Sequence, residues 1–248
     1  VNLLNADPFV LAAGGTSLQA NRSTGAHAGE TVWNALVPPG YTVSSGGGFS
    51  QLFPRPAYQD GVPGIGATRG VPDVAADAAN DTGMAMAISN GGQQYSLIGT
   101  NGTSAAAPLW AAMIALADQY AHRSLGFVNP AIYRIGRSPS YHKAFHDITT
   151  GTNTVTDHQL AITITGYRAT TGWDPATGWG SPQRPTARPS ARPLRQPRSQ
   201  PGVAYNGWRD HQLTANPLST RRVAGTPSIG SRTRSCACEA ACSSIMRN

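Results

Sequence analysis

The sequence predicts an α/β domain with a mostly parallel sheet over residues 1–182, followed by a basic segment over 183–248 with little to bury. Three observations carry this. Short apolar runs bounded by Gly, Asn and Asp alternate with strongly apolar helical stretches, the pattern of strands and buried helices in one domain. Gly (28) and Pro (19) are plentiful among the 248 residues, which favours many tight turns over a helical bundle. At residue 182 the charge balance breaks: residues 1–182 hold 8 Lys+Arg against 10 Asp+Glu, whereas 183–248 hold 11 Arg against Asp210 and Glu239.

The elements follow in order. Phe9-Val10-Leu11-Ala12-Ala13 is a short apolar run stopped by Gly14-Gly15, which suits a buried strand. Residues 34–70 are rich in Gly, Pro and Ser and read as ordered loop. Residues 74–76, 84–89 and 95–98 are further strands separated by Asn, Asp and Gly turns. Residues 105–120 make the strongest helix, apolar almost all round, which places it centrally and covered on most sides. Asn129-Pro130 opens a second helix, an N-cap donor followed by proline at the first helical position, running through Ile132-Tyr133. The alternating stretch 155–167 suits a hairpin.

Composition excludes several classes. No stretch approaches the ~18–20 apolar residues of a membrane span, and the longest, 105–117, is interrupted by Pro108. The three cysteines, Cys236, Cys238 and Cys242, all lie beyond residue 182, so the body is held by no disulfide and says nothing about redox compartment. The chain opens at Val1 with no leader pattern, the expectation being a removed leader or a piece of something longer. Beyond 182, proline recurs at Pro185, Pro189, Pro193, Pro197 and Pro201 among arginines, which suits neither helix nor paired strand and reads as a disordered basic tail. Three readings of that tail stand: a basic arm for nucleic acid or an anionic surface, an unpartnered segment, which is preferred, or a frame-shifted translation.

The densest chemical signal is Gly102-Thr103-Ser104-Ala105-Ala106-Ala107-Pro108. A serine where a loop enters a long helix lies at the positive end of the macrodipole, beside unpaired backbone N–H groups able to stabilise the oxyanion of acyl transfer. Capping a core helix is the alternative use of such a residue.

That motif is shared by subtilisin-like serine peptidases and the sedolisins, the serine-carboxyl peptidases, and other segments choose between them. Pro8-Phe9-Val10-Leu11-Ala12-Ala13-Gly14-Gly15-Thr16, Glu30-Thr31-Val32-Trp33-Asn34, Ser45-Gly46-Gly47-Gly48-Phe49-Ser50, Tyr58-Gln59 and Arg69-Gly70-Val71-Pro72-Asp73-Val74-Ala75-Ala76-Asp77 resemble sedolisin segments. So do Gly126-Phe127-Val128-Asn129-Pro130, Phe145-His146-Asp147-Ile148-Thr149 and the run from Gly172-Trp173-Asp174 to Gly180-Ser181-Pro182. They occur in sedolisin order over residues 1–182, with Asn101 where the family usually has Gly or Ser.

The resemblance implies part of a subtilisin-like three-layer domain that cleaves peptide bonds in acid, using Ser with Glu and Asp. A carboxylate base still accepts a proton at a pH where imidazole is already charged. It makes Ser104 the nucleophile. The family's Glu and Asp lie on a helix before Gly-Gly-Thr, its oxyanion Asp in a Ser-Gly-Asp motif, and no residue of this sequence matches them. Asp73 and Asp77 are not substitutes. A His-based triad finds no support, because only His27 precedes Ser104 and His122, His142, His146 and His158 lie in no matching motif. The resemblance further implies one structural calcium ion held by Asp147, the carbonyls of Ile148, Thr170 and Gly172, and Asp174, loop aspartates capping turns being the plainer reading.

The expectation is therefore the C-terminal part of a secreted serine-type endopeptidase acting on protein or peptide substrates. Its implied partners are the missing N-terminal half or a propeptide, not a membrane, and this chain alone is expected to be inactive. Two rival readings are an inactive remnant and a non-enzymatic basic-tail binder of nucleic acid or anionic surfaces.

Overall fold

The computed structural model describes residues 1–183 apart from 2, 22, 90 and 92–94. The expected basic tail, residues 183–248, lies outside the described residues from 184 onward, as do its cysteines.

A one-turn helix α1 (Leu3–Ala6) leads to β1 (Ala13–Ala20), β2 (His27–Val32), β3 (Asn34–Val37) and β4 (Tyr41–Ser44). Then come β5 (Gly48–Pro54), a 3-10 turn (Ala57–Gln59), β6 (Thr68–Val71), β7 (Val74–Asp77) and the pair β8 (Met84–Ser89) and β9 (Tyr95–Thr100). Helices α2 (Thr103–Ala121), α3 (Asn129–Gly136) and α4 (Tyr141–Ala144) follow. The short strands β10 (Phe145–His146), β11 (Val155–Asp157), β12 (Ile162–Ile164) and β13 (Ser181–Pro182) complete the described elements.

The sheet that positions the helix has the order β2-β1-β7. β1 runs parallel to β7, with Ala13 opposite Val74 and Thr16 opposite Asp77, and antiparallel to β2. The expected mostly parallel sheet is corrected here, since every other strand pair among the described residues is antiparallel. The reason lies in the links. Residues 38–40 join β3 to β4 and residues 90–94 join β8 to β9, spans that allow only hairpins, whereas the long excursion 21–73 lets β7 return parallel to β1.

The expected strand over 9–13 is displaced. Phe9 is 78% exposed, and the strand begins at Ala13 and runs through the glycines thought to stop it. They are needed inside it: a Cβ on Gly14 would lie 2.8 Å from Pro72 and one on Gly15 2.7 Å from Ala78. The stretch 34–70 is not loop alone but contributes β3, β4, β5 and β6. The strands at 74–76, 84–89 and 95–98 stand where expected, and the 155–167 hairpin forms β11 and β12, extended by β4 and β3 into four strands.

α2 lies across β1 and β7. Ala105, Ala106 and Trp110 are its buried residues, and Trp110 Nε1 donates to the Ala75 carbonyl at 2.8 Å. The expectation of a helix covered on most sides fails: Leu116 is 63% and Tyr120 77% exposed. α3 starts as expected, but Asn129 does not cap it. Val128 holds the cap position, while Asn129 is fully buried and donates to the Val10 carbonyl and the Tyr58 hydroxyl. The main core joins Val74, Ala76, Ala106, Trp110, Tyr133 and Trp179.

Candidate active site

Gly102 sets the turn into α2. Its φ of 75° and ψ of 172° belong to a region closed to residues with a Cβ, and its N–H donates to the Ala78 carbonyl at 2.7 Å. The turn is thereby tied to the end of the β7 segment. Trp33, only 8% exposed, packs beneath it: the ring lies 3.0 Å from a Cβ placed on Gly15 and 3.8 Å from one on Gly102. Thr103 and Ser104 occupy the first two helical positions.

Ser104 is exposed, and its hydroxyl has no hydrogen-bond partner among the described residues. The Ala105 N–H is taken by the Gly102 carbonyl at 2.9 Å, so the N–H groups of Thr103 and Ser104 remain at the positive end of a 19-residue helix. Pro108 removes the N–H that would otherwise reach the Ser104 carbonyl one turn back. The result is an open serine with donors beside it. That geometry suits an acyl-transfer nucleophile once a base is brought near.

The other titratable residues fall into three groups. Asp73 is fully buried, held by Arg69 through bonds of 2.8 and 2.7 Å, by the Tyr133 hydroxyl at 2.8 Å and by the Ala12 N–H at 2.8 Å. Burial, together with the Asp73 carboxylate beside it, pushes the Tyr133 hydroxyl pKa well up. Asp77 accepts from Leu18, Ala79 and Thr82. Both aspartates are structural.

Among the described residues no histidine is hydrogen-bonded to Ser104. His122 ends α2 in a left-handed conformation, 18 positions and so about 27 Å along the axis from Ser104. His142 and His158 are exposed. His146 stacks on His27 with ring centroids 3.9 Å apart. Burial, then His27 beside it, lowers the His146 pKa from the ordinary histidine value. Beside this stack Glu30, with a side chain 3% exposed, accepts from Ser181 at 2.5 Å, from Thr16, and faces His27 at 3.4 Å. Nothing in the sequence signals this cluster, since its members come from three distant segments.

Of the residues named for calcium, hydrogen bonds join Asp147 to Gly172 and Thr170 to Asp174. The Gly172 N–H donates to both oxygens of Asp147 at 3.1 Å, and the Thr170 N–H to Asp174 at 3.0 Å. Asp174, 1% exposed, also accepts from the N–H groups of Ala176 and Thr177 and from the Thr177 hydroxyl. Burial raises its pKa against these bonds. Among the described residues no three His, Cys, Asp or Glu side chains cluster as a metal site. An ion here takes two carboxylates completed by backbone carbonyls, as hard cations accept, and Asp147 has free acceptor capacity beyond its bond to Gly172. The donor chemistry fits, with Asp174 already serving as the cap of its own turn.

No family model matches the chain. Among characterised proteins, it is similar to kumamolisin of Bacillus sp. strain MN-32, 41% identical over 184 residues covering 71% of this chain and 30% of that protein. To sedolisin of Pseudomonas sp. strain 101 it is 38% identical over 176 residues, 70% of this chain and 27% of that one. To xanthomonalisin of Xanthomonas sp. strain T-22 it is 33% identical over 184 residues, 70% and 20%. The structure is similar to that of Pseudomonas sedolisin, a serine-carboxyl proteinase solved with two molecules of pseudo-iodotyrostatin: TM-score 0.60, 34% identity, covering 73% of this chain and 45% of that one. The chain spans about a third or less of the length of these curated relatives. Among the described residues no helix is long and apolar enough to cross a membrane.

Proposed function

The chain is related to the sedolisin family over the part it covers, and from that premise we propose that it carries the nucleophile of a secreted acid endopeptidase, Ser104. The observation that carries the reading is the serine itself: exposed, at the second position of α2, beside the free N–H groups of the first turn.

In this reading the Ser104 hydroxyl attacks the scissile carbonyl of a peptide. Its proton passes to a carboxylate base and a tetrahedral oxyanion forms beside the N–H groups at the head of α2; the base then gives that proton to the amine nitrogen as the C–N bond breaks, leaving an acyl-enzyme that water hydrolyses. The base and the oxyanion aspartate are residues that nothing in positions 1–248 matches, so they come from polypeptide outside this sequence. An unactivated hydroxyl is a weak nucleophile, and the chain by itself is inactive. Asp147, Asp174 and the carbonyls of Ile148, Thr170 and Gly172 would hold one structural calcium ion, which would brace the 170–174 loop against the end of β10.

The test is peptide hydrolysis between about pH 3 and 5, the range in which a carboxylate base is still partly ionised. The isolated chain gives no turnover above background. Robust turnover by it, abolished in Ser104→Ala, would show that it supplies its own base and overturn the divided-site reading.

A further inference from the structure

We propose that the recess beside the turn into α2 is a specificity subsite, which takes a lysine or arginine side chain of a bound peptide and selects it through Asp81. The proposal depends on the peptidase reading of Ser104 only for the bond that such a peptide presents there.

The recess has a volume of about 330 Å³ and three walls, residues 17–19, 34–36 and 80–82. Each wall continues a segment that touches the turn carrying Ser104. A Cβ on Gly15 would lie 3.4 Å from Thr103 Cγ2, and Ser17 and Gln19 follow on the same face of β1. Trp33 packs beneath Gly102, and Asn34 is the next residue. The Ala78 carbonyl accepts from the Gly102 N–H, and Asn80 stands two residues further on. Two residues of extended chain span about 7 Å, and an extended peptide has the same rise. A peptide with its carbonyl at Ser104 therefore reaches the recess with a side chain two or three residues from that carbonyl.

The lining says which side chain fits. It holds one charged residue, Asp81, which is exposed, and no cation. None of the ion pairs among the described residues includes Asp81. Asp77 ties two of the walls together: it accepts from the Leu18 N–H at 3.2 Å, the Ala79 N–H at 3.3 Å and the Thr82 hydroxyl at 3.0 Å. Two carboxylates thus stand at one side of the recess, while Leu18 and Leu36 add apolar surface. A lysine or arginine matches both features, its methylene stem lying on apolar surface and its charged head meeting a carboxylate. A glutamate in the same place would meet only like charge.

The experiment titrates the full chain, at neutral pH and low salt, with three terminally blocked alanine pentapeptides carrying arginine, glutamate or norleucine at the centre. Binding is followed through backbone amide resonances. The expected result is that the arginine peptide shifts Gln19, Leu36 and Thr82, that the glutamate peptide does not, and that Asp81→Asn weakens the arginine peptide by about fivefold, the scale of an exposed ion pair. Binding of the norleucine peptide should be unchanged by Asp81→Asn. Asp60→Asn, which alters an exposed carboxylate outside the recess, should leave all three peptides unaffected. No binding, shifts that map elsewhere, equal affinity for the three peptides, or an arginine affinity indifferent to Asp81→Asn overturns the proposal. So does an equal loss in Asp60→Asn, which would make the attraction a matter of overall charge. Because no bond is made or broken in this titration, failure of Ser104 as nucleophile and failure of the subsite are separate results.

Discussion

Gly102 and Asp73 show how single residues hold the candidate site. At Gly102 the backbone occupies φ 75° and ψ 172°, where a Cβ costs of order 1–3 kcal/mol. Gly102→Ala should therefore lower the unfolding free energy by about that amount in denaturant titration, with no loss of core volume to account for it. Asp73 is more consequential. Its carboxylate neutralises Arg69 in a site where both side chains are 0% exposed. Removing it leaves a buried guanidinium unpaired, a change that costs about 3–5 kcal/mol. Asp73→Ala should lower the unfolding free energy by about that amount, whereas Asp77→Ala, on a partly exposed carboxylate, should cost only the three bonds it accepts, roughly 1–3 kcal/mol. Equal losses from the two would refute this ranking. The pairing of Arg69 and Asp73 is present in the motif Arg-Gly-Val-Pro-Asp, yet the Tyr133 hydroxyl that donates to the buried Asp73 carboxylate lies 60 residues further along the sequence.

At the scale of elements, the loop around Asp174 and the helix α2 are the two that matter. Asp174→Ala removes a turn cap as well as a proposed ion ligand, so it should lower stability with or without calcium. Asp147→Asn is the cleaner change. In the unaltered chain calcium should raise the melting temperature by mass action, and Asp147→Asn should abolish the rise while leaving the calcium-free value nearly unchanged. Absence of any calcium response in the unaltered chain would remove the ion from the account. Elements with local signals were legible: β8 and β9 from alternation between turns, α2 from its apolar run, the 155–167 hairpin from its pattern. Those that depend on contact were not. The run 9–13 looks like a strand, but strand pairing begins only at Ala13, opposite Val74, and Gly14 and Gly15 admit Pro72 and Ala78. Asn129 looks like a cap, but the Val10 carbonyl and the Tyr58 hydroxyl claim its side chain. The sequence makes α2 apolar almost all round, yet Ala105, Ala106 and Trp110 are its buried residues and Leu116 and Tyr120 stay exposed.

For the whole molecule, the proposed reading makes the described residues one end of a peptidase-like site: a serine at the head of α2, with the β2-β1-β7 sheet packed against that helix. Ser104, the proposed nucleophile, was legible as a candidate because its neighbours form a contiguous motif. The His27–Glu30–His146 cluster was not legible, because stacking across more than a hundred residues leaves no local trace. The most direct measurement is hydrolysis of a peptide between about pH 3 and 5 by this chain combined with the unmatched portion of Pseudomonas sedolisin, with Ser104 and with Ser104→Ala. The account predicts no turnover by either polypeptide alone, turnover by the combination, and its complete loss in Ser104→Ala. Turnover that survives Ser104→Ala, or a well-formed combination that stays inert with Ser104 in place, would contradict it.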